Sequence, residues 1–441
     1  MLKLVSLCGV AVMLAICFAL SNNRRAINWR LVSVGLVLQA VLGFTFLYWD
    51  AGNAALQAVG RGVNAFFGLA QKGIYFVFNE LSNPDRIGYL DRASREAAGE
   101  VVPPGDERNF VFAIMVLPTL IFFASFMAVL YKLGVMQVIV RGMAWLMVRL
   151  LGTSGSESLS ACANVFVGQT EAPLLVKPFL KNMTLSELHA IMVGGFATIA
   201  GGVFVLYVGF VGGPDTPENA AHRALVAGQL MVASVMAVPA GLVCSKMLWP
   251  ETERSHTLGK VDRIEGVGSG NVVEAAATGA SDGLSLALNV GAMLIAFLGL
   301  LAVVNAALGL VHPDLSLQLL LAKVFYPIAA VMGVPAAEIG SLSQLLGTKI
   351  VATELIAYGD LGNMVKAGAV SKRTAMIASF ALCGFANVGS VAIQVGGLGA
   401  MAPERRGDLA RLGLRAMFAG AIATCMTACV AGVLANDGGA E

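Results

Sequence analysis

Long apolar runs alternate with short polar ones along the whole chain. Windows without a charged residue cover 31–49, 110–130, 190–211, 224–244, 283–311, 375–401 and 416–435. Each is long enough to cross a hydrocarbon core of about 30 Å as a helix. A shorter apolar run at 4–20 precedes the flank Asn22-Asn23-Arg24-Arg25, and no small-residue cleavage site stands before it. It is therefore expected to stay as a span and not to be removed as a signal peptide. A lipoprotein signal at Leu14-Ala15-Ile16-Cys17 is disfavoured, because Ile16 is bulky where such signals hold a small residue. The pattern predicts an all-α polytopic membrane protein with about eight transmembrane helices.

The segments between the spans carry their own pattern. Residues 131–151 set Lys132, Arg141 and Arg149 among Met136, Val138, Val140, Met143, Leu146, Met147 and Leu150, which suits an amphipathic helix lying along the inner surface. Residues 315–330, with Lys323 among leucines after Asp314, suit a second interfacial helix on the outer side. The 13-residue charge-free run 158–170 ends at Glu171 and Pro173 and is too short to span. This predicts a re-entrant helical hairpin at 152–181, entering from the cytoplasm. Residues 335–366, with Glu338, Lys349, Glu354 and Asp360 spaced through apolar positions, predict a second hairpin entering from outside. The polar stretches 82–108 and 251–282 read as linkers. The glycine-rich 266–270 lacks the lysine and hydroxyl of a phosphate-binding loop.

The two hairpins head matching halves. Gln169-Thr170-Glu171 is followed by Phe196-Ala197-Thr198-Ile199-Ala200-Gly201, and Ala352-Thr353-Glu354 is followed at a similar offset by Phe385-Ala386-Asn387-Val388-Gly389-Ser390. Each half reads as a hairpin with Thr-Glu, a span interrupted at Phe-Ala, and a final span. With hairpins entering from opposite sides this is an inverted repeat, the architecture expected of a secondary transporter with its site at the midplane. The expected organisation is two N-terminal spans at 1–50, then a scaffold span with interfacial helices and a polar external loop at 51–151. The first transport half follows at 152–249. A cytoplasmic linker, scaffold span and external interfacial helix occupy 250–334, and the second transport half occupies 335–441.

Composition narrows the classes. Hydrophobic residues make up 57% of the chain and charged ones 13%, against about a quarter charged in soluble domains, which excludes an ordinary soluble enzyme. A net charge of +2 with no basic stripe excludes nucleic acid as an expected partner. Arg24, Arg25 and Arg30, then Lys132, Arg141 and Arg149, then Arg405, Arg406, Arg411 and Arg415 mark cytoplasmic segments, which places both termini outside. Seven scattered cysteines read as small buried hydrophobes, with neither a disulfide framework nor a zinc site. An intramembrane enzyme is the distant alternative. The chain has no H-E-x-x-H and no nucleophile elbow, and His189, His222, His256 and His312 lie at span edges or in loops.

Glu171 and Glu354 are the carboxylates nearest to membrane depth, where an ionised group costs at least about 2.5 kcal/mol and so marks a substrate or ion path. Structural pairing with Lys177 or Lys349 is the plainer alternative. Together with Gln169, Thr170, Asn387 and Ser390 they suit a neutral solute bearing hydroxyls and a hydrogen-bonding ring, against which Phe385 could stack. No arginine cluster lies among them to hold an anion.

The same residues carry a family resemblance. Asn164-Val165-Phe166-Val167-Gly168-Gln169-Thr170-Glu171-Ala172-Pro173-Leu174 resembles the first-hairpin signature of concentrative nucleoside transporters, and Cys383-Gly384-Phe385-Ala386-Asn387 resembles their second-half signature. The run from Leu286 to Phe297 and Gly347-Thr348-Lys349 also match, so the resemblance extends from about Phe110 to the C-terminus. It implies a cation-coupled nucleoside importer of the bacterial plasma (inner) membrane, multi-pass and usually a homotrimer, with an elevator-type transport domain. It further implies that Gln169, Thr170 and Glu171 face the nucleobase beside Val203, and that Glu354, Asn387 and Ser390 bind the ribose with Phe385 nearby. Na⁺, favoured over H⁺ as the coupling ion, would lie at Asn164, Val167, Thr198 and Ile199. Thr198 stands where many relatives have Ser, Thr353 where many have Asn, and Gly389 where Ser is common. An elevator-type carrier of another neutral polar solute is the nearer alternative.

Overall fold

The computed structural model describes residues 1–98, 111–115, 117–213, 219–259, 271–313 and 315–435. The glycine-rich 266–270, Asp314 and the end of the polar stretch 82–108 lie outside these. Among the described residues nineteen α-helices follow in order: α1 (Leu2–Ala19), α2 (Trp29–Gly43), α3 (Asp50–Phe78), α4 (Pro84–Ala97), α5 (Phe112–Met115), α6 (Leu117–Lys132), α7 (Val135–Leu151), α8 (Gly155–Ala163), α9 (Lys177–Leu180) and α10 (Leu185–Ala197). Then come α11 (Gly201–Gly212), α12 (Ala220–Leu248), α13 (Val272–Gly309), α14 (Leu317–Ala330), α15 (Ile339–Val351), α16 (Glu354–Lys366), α17 (Lys372–Leu382), α18 (Val388–Met401) and α19 (Arg406–Leu434). The chain is all-helical because lipid offers backbone groups no other partner.

Five described helices are long and apolar enough to cross a membrane: Leu2–Ala19, Trp29–Tyr48, Ala113–Lys132, Ala220–Leu248 and Pro403–Leu434. The window 283–311 lies almost wholly within the 38-residue α13. The remaining windows, 190–211 and 375–401, are each two shorter helices, α10 with α11 and α17 with α18. The stretch 82–108, expected as a polar loop, instead holds α4. Ion pairs one turn apart, Arg92 to Glu96 at 3.0 Å and Arg95 to Asp91 at 3.5 Å, run along it and add a few tenths of a kcal/mol each to a helix that also sets Ile87, Leu90, Ala93 and Ala97 at helical spacing.

The chain divides into two compact units. The larger holds Met1–Arg61, Met136–Glu265 and Leu300–Glu441. Its centre is formed by α12 and α19, mostly buried, with α10 and α17 packed on them. Around these lie α1 and α2, each with one buried stripe at helical spacing: Ser6, Gly9, Met13 and Cys17 on α1, and Leu31, Gly35, Gln39 and Gly43 on α2. Their other faces are apolar and exposed, as lipid-facing helices require. Cys8 is exposed and the other six cysteines are buried and free.

The smaller unit holds Gly62–Val135 and Gly266–Gly299. There α13 crosses α6 closely through Gly279 and Gly283: a Cβ at either would lie 2.7–2.9 Å from backbone or methyl atoms of α6. Small residues four apart allow this approach, and Ser125 Oγ donates to the Ala276 carbonyl across it at 2.8 Å.

Candidate functional site

The site is built from helix ends. Four helices of the larger unit stop at buried positions, α8 at Asn164, α10 at Thr198, α15 at Ala352 and α17 at Cys383. Three begin beside them, α11 at Gly201, α16 at Glu354 and α18 at Val388. C-terminal ends present carbonyls and a partial negative charge, while N-terminal ends present N–H groups and a partial positive one. A buried meeting of both kinds can hold a cation and a polar solute together.

The two interruptions touch at Gly384. It has φ +85°, and a Cβ there would collide with the Phe196 carbonyl oxygen and lie 2.6 Å from the Ala197 carbonyl carbon. Only glycine supplies both the left-handed backbone and the space. Cys383 Sγ lies 3.7 Å from the Ala197 oxygen in the same crossing.

On the second-half side, Glu354 opens α16 behind its N-cap Thr353, whose hydroxyl accepts from Ile356 N–H. The Glu354 carboxylate is buried and accepts from Asn387 Nδ2 at 2.9 Å and from the Tyr207 hydroxyl at 3.1 Å. Asn387 is itself the N-cap of α18, its Oδ1 accepting from Ser390 N–H at 2.8 Å. The side chain thus fixes a helix start and a carboxylate at once. Tyr207 is held by the ring of Tyr358, stacked 4.2 Å away, whose hydroxyl donates to the Ser379 carbonyl. Ser390 is buried on the first turn of α18, and Phe385 stands half-buried in the break.

On the first-half side, Gln169 is buried and its Oε1 accepts from Gln394 Nε2 of α18 at 2.9 Å. Thr170 packs its methyl under Gly397 of the same helix and donates to Glu171 Oε1 at 3.3 Å. Asn387, Ser390, Gln394 and Gly397 recur at three- and four-residue steps, so they share one face of α18. This face runs from the Glu354 cluster to the Gln169-Thr170 tip, roughly 10 Å between residues 387 and 394. Glu171 stands apart from Glu354: it is exposed, folded against Gly168. Val203 is buried on the first turn of α11.

The four residues expected at an ion split between two neighbouring helix ends. Asn164 caps the end of α8, its Nδ2 donating to the Ser160 carbonyl, while its buried Oδ1 has no partner among the described residues. Thr198 caps the end of α10 and donates to the Gly194 carbonyl at 2.8 Å. A Cβ on Gly194 would lie 3.4 Å from Asn164 Nδ2, so the two caps meet around that residue. Ile199 is buried, its N–H donating to Ser234 Oγ at 3.2 Å, and Val167 is half-buried. Two C-terminal ends and an orphaned amide oxygen suit a hard monovalent cation.

Three groups at this centre escaped the sequence reading. Tyr207 and Gln394 are polar groups inside apolar windows, a signal present but not weighed. Lys349, considered there as a carboxylate partner, instead directs its ammonium at the Ala381 and Cys383 carbonyls, both at 2.9 Å, and at Thr424 Oγ1 at 3.1 Å. It caps the buried C-terminal end of α17.

A cavity of about 250 Å³ lies elsewhere, lined in part by Ser154, Glu157, Lys246, Glu251 and Ser255. Its charged groups are already paired, Lys246 Nζ to Glu157 at 2.7 Å and to Glu251 at 3.3 Å. Capping boxes start α8 and α10 beside it, and Ser255 and Thr257 bond to Glu187. It is a structural joint that fastens residues 251–258 to the base of α8.

Comparison with known proteins adds an independent line. Families described as "Na+ dependent nucleoside transporter C-terminus", "Na+ dependent nucleoside transporter N-terminus" and "Nucleoside recognition" match residues 229–432, 8–81 and 113–214. An uncharacterized transporter of Haemophilus influenzae is 43% identical over 444 residues, covering 99% of this chain and 98% of that one. Sodium/nucleoside cotransporter 1 of Mus musculus is 39% identical over 462 residues, covering 100% of this chain and 65% of that longer protein. The solved structure of CNTnw in an inward-facing substrate-bound state aligns with a TM-score of 0.86 at 41% identity, over 98% of this chain and 99% of that one.

Proposed function

The chain belongs to the Na⁺-dependent nucleoside transporter family, and from that premise we propose that it imports nucleosides by symport with Na⁺ across a bacterial plasma membrane. It is a multi-pass transporter and not an enzyme. The observation that carries the reading is the crossing of two interrupted helices at Gly384, with hydrogen-bonding groups from both halves ranged along one face of α18.

In this reading Glu354, held by Tyr207 and Asn387, accepts hydrogen bonds from the ribose hydroxyls, with Ser390 and Phe385 beside it. Charge-assisted bonds of that kind are roughly twice as strong as neutral ones. Gln169, Thr170 and Glu171 meet the base, with Val203 against its face. Na⁺ travels as a co-substrate between the ends of α8 and α10, taking Asn164 Oδ1, the Thr198 hydroxyl and the carbonyl oxygens of Val167 and Ile199. Binding there ties the tip after α8 to the break after α10 and completes the adjoining base site. Ion and nucleoside then raise each other's affinity by the same factor.

Residues 152–181 and 335–366 serve as re-entrant hairpins of an inverted repeat. They head transport halves at 152–249 and 335–441, which move elevator-fashion against 1–50, 51–151 and 250–334, in a homotrimer. The deciding experiment is uptake of radiolabelled uridine into proteoliposomes under an imposed Na⁺ gradient, an imposed H⁺ gradient, or neither. Concentrative uptake with Na⁺ alone is expected. Uptake that follows the pH gradient and ignores Na⁺ would overturn the ion assignment, and the absence of uptake under all three would overturn the substrate class.

A further inference from the structure

Gln394 lies in the middle of α18 with 1% of its surface exposed. Its Nε2 reaches two acceptors, Gln169 Oε1 at 2.9 Å and the Met192 carbonyl oxygen at 3.1 Å. A backbone carbonyl can only accept, so the end of Gln394 that faces Met192 is its NH2 end. That group has two hydrogens, one for Met192 and one for Gln169. The Gln169 atom meeting an N–H is therefore its oxygen. The carbonyl at 192 thus sets the polarity of the Gln169 amide two links away and turns the Gln169 NH2 away from the relay. Gly195 leaves room for this chain of bonds, since a Cβ there would lie 2.6 Å from Gln394 Nε2 and 2.7 Å from Gln169 Cβ.

We propose that Gln394 is a positioning residue that fixes Gln169 with its NH2 toward the base, so that the site selects nucleosides with a keto oxygen, not an amino group, at the base edge far from the sugar. The inference rests on the reading in which Gln169 meets the base and Glu354 the ribose. The far edge follows from α18, because Gln394 stands seven residues beyond Asn387, roughly 10 Å along the axis. In a pyrimidine this edge is the 4-position, and in a purine the 6-position. Uridine and cytidine have nearly the same shape and differ there as acceptor and donor, as do inosine and adenosine. A buried donor set against an amino group is left unpaired, and discrimination of that kind reaches about tenfold or more.

The test compares uptake of those four nucleosides by wild type, Gln394→Glu, Gln394→Met and Gln169→Ala in proteoliposomes. In Gln394→Glu the carboxyl keeps its proton on the Met192 carbonyl and accepts from Gln169, which turns over and presents its oxygen. The uridine:cytidine and inosine:adenosine ratios should then fall about tenfold or more. In Gln394→Met no polarity is imposed, and both ratios should collapse toward one. Equal scaling of all four substrates in both variants, while Gln169→Ala still reorders them, would overturn the role of Gln394 and leave the base assignment standing. An unchanged ranking in Gln169→Ala would overturn the base assignment and this proposal with it. Wild type alone provides a measurement independent of variant folding. The pyrimidin-2-one riboside, which lacks both the oxo and the amino group, should compete about tenfold more weakly than uridine and no more weakly than cytidine. Competition equal to that of uridine would overturn the proposal.

Discussion

At the break between α17 and α18, the left-over carbonyls of Ala381 and Cys383 accept from the ammonium of Lys349. At the break between α10 and α11, the cap is the neutral Thr198 hydroxyl, and the adjoining end of α8 carries Asn164 Oδ1, which has no partner among the described residues. The carboxylates differ in the same sense: Glu354 is buried and doubly bonded, while Glu171 is exposed. One plan, a helix interrupted at Phe-Ala, is thus closed in one half by a tethered charge and in the other by neutral groups, where we propose that the ion binds. Changes in the second half should damage the protein whatever the salt, and changes in the first should be recovered by Na⁺.

The largest effect is expected from Lys349→Met, which leaves two carbonyls and the Thr424 hydroxyl without their donor inside the bundle. At about 1–3 kcal/mol for each buried group left unpaired, the apparent Tm in detergent should fall by at least about 5 °C, equally in Na⁺ and in its absence. An unchanged Tm would show that the ammonium is not what completes that break. Glu354→Gln comes next. The amide keeps an oxygen for Asn387 Nδ2 only by giving up the bond it accepts from the Tyr207 hydroxyl, and it removes the charge, so uridine uptake should drop roughly 100-fold in a protein that still purifies as a folded species. Saturating Na⁺ should not restore it, and wild-type affinity would remove Glu354 from the ribose.

Thr198→Ala should have the smallest effect. Losing one neutral oxygen ligand should raise the Na⁺ concentration for half-maximal uptake about fivefold, with rate at saturating Na⁺ reduced by less than about half. A loss that high Na⁺ does not recover would erase the contrast between the two breaks.

Most of the fold was legible because lipid leaves an apolar segment little choice but helix. The interruptions were legible too, because Phe196-Ala197-Thr198 and Phe385-Ala386-Asn387 place polar groups where a continuous span has no use for them. The stretch that became α4 reads as a loop because its charges outnumber its apolar residues, although Ile87, Leu90, Ala93 and Ala97 stand at helical spacing. Glu354 and Asn387 could be named from sequence, whereas Tyr207 and Gln394 stood out as polar groups in apolar windows but their partners could not be named. Their partners lie 147 and 225 residues away, and hydrophobic pattern carries no information on such distances. Lys349 was visible, but its charge suggested a carboxylate, and the carbonyl ends it serves exist only once α17 has stopped.

The crossing at Gly384 also has a place in time. Cys383, beside it, meets Ala197 across 186 residues of chain, and a ribosome adding about 5–20 residues per second needs about ten to forty seconds to cover them. Through that interval the first break sits in the newborn protein without the neighbour that later closes over it. Translation therefore sets the earliest moment at which this contact can form, and a chain halted before residue 383 has most of its helices without the crossing on which the proposed site rests.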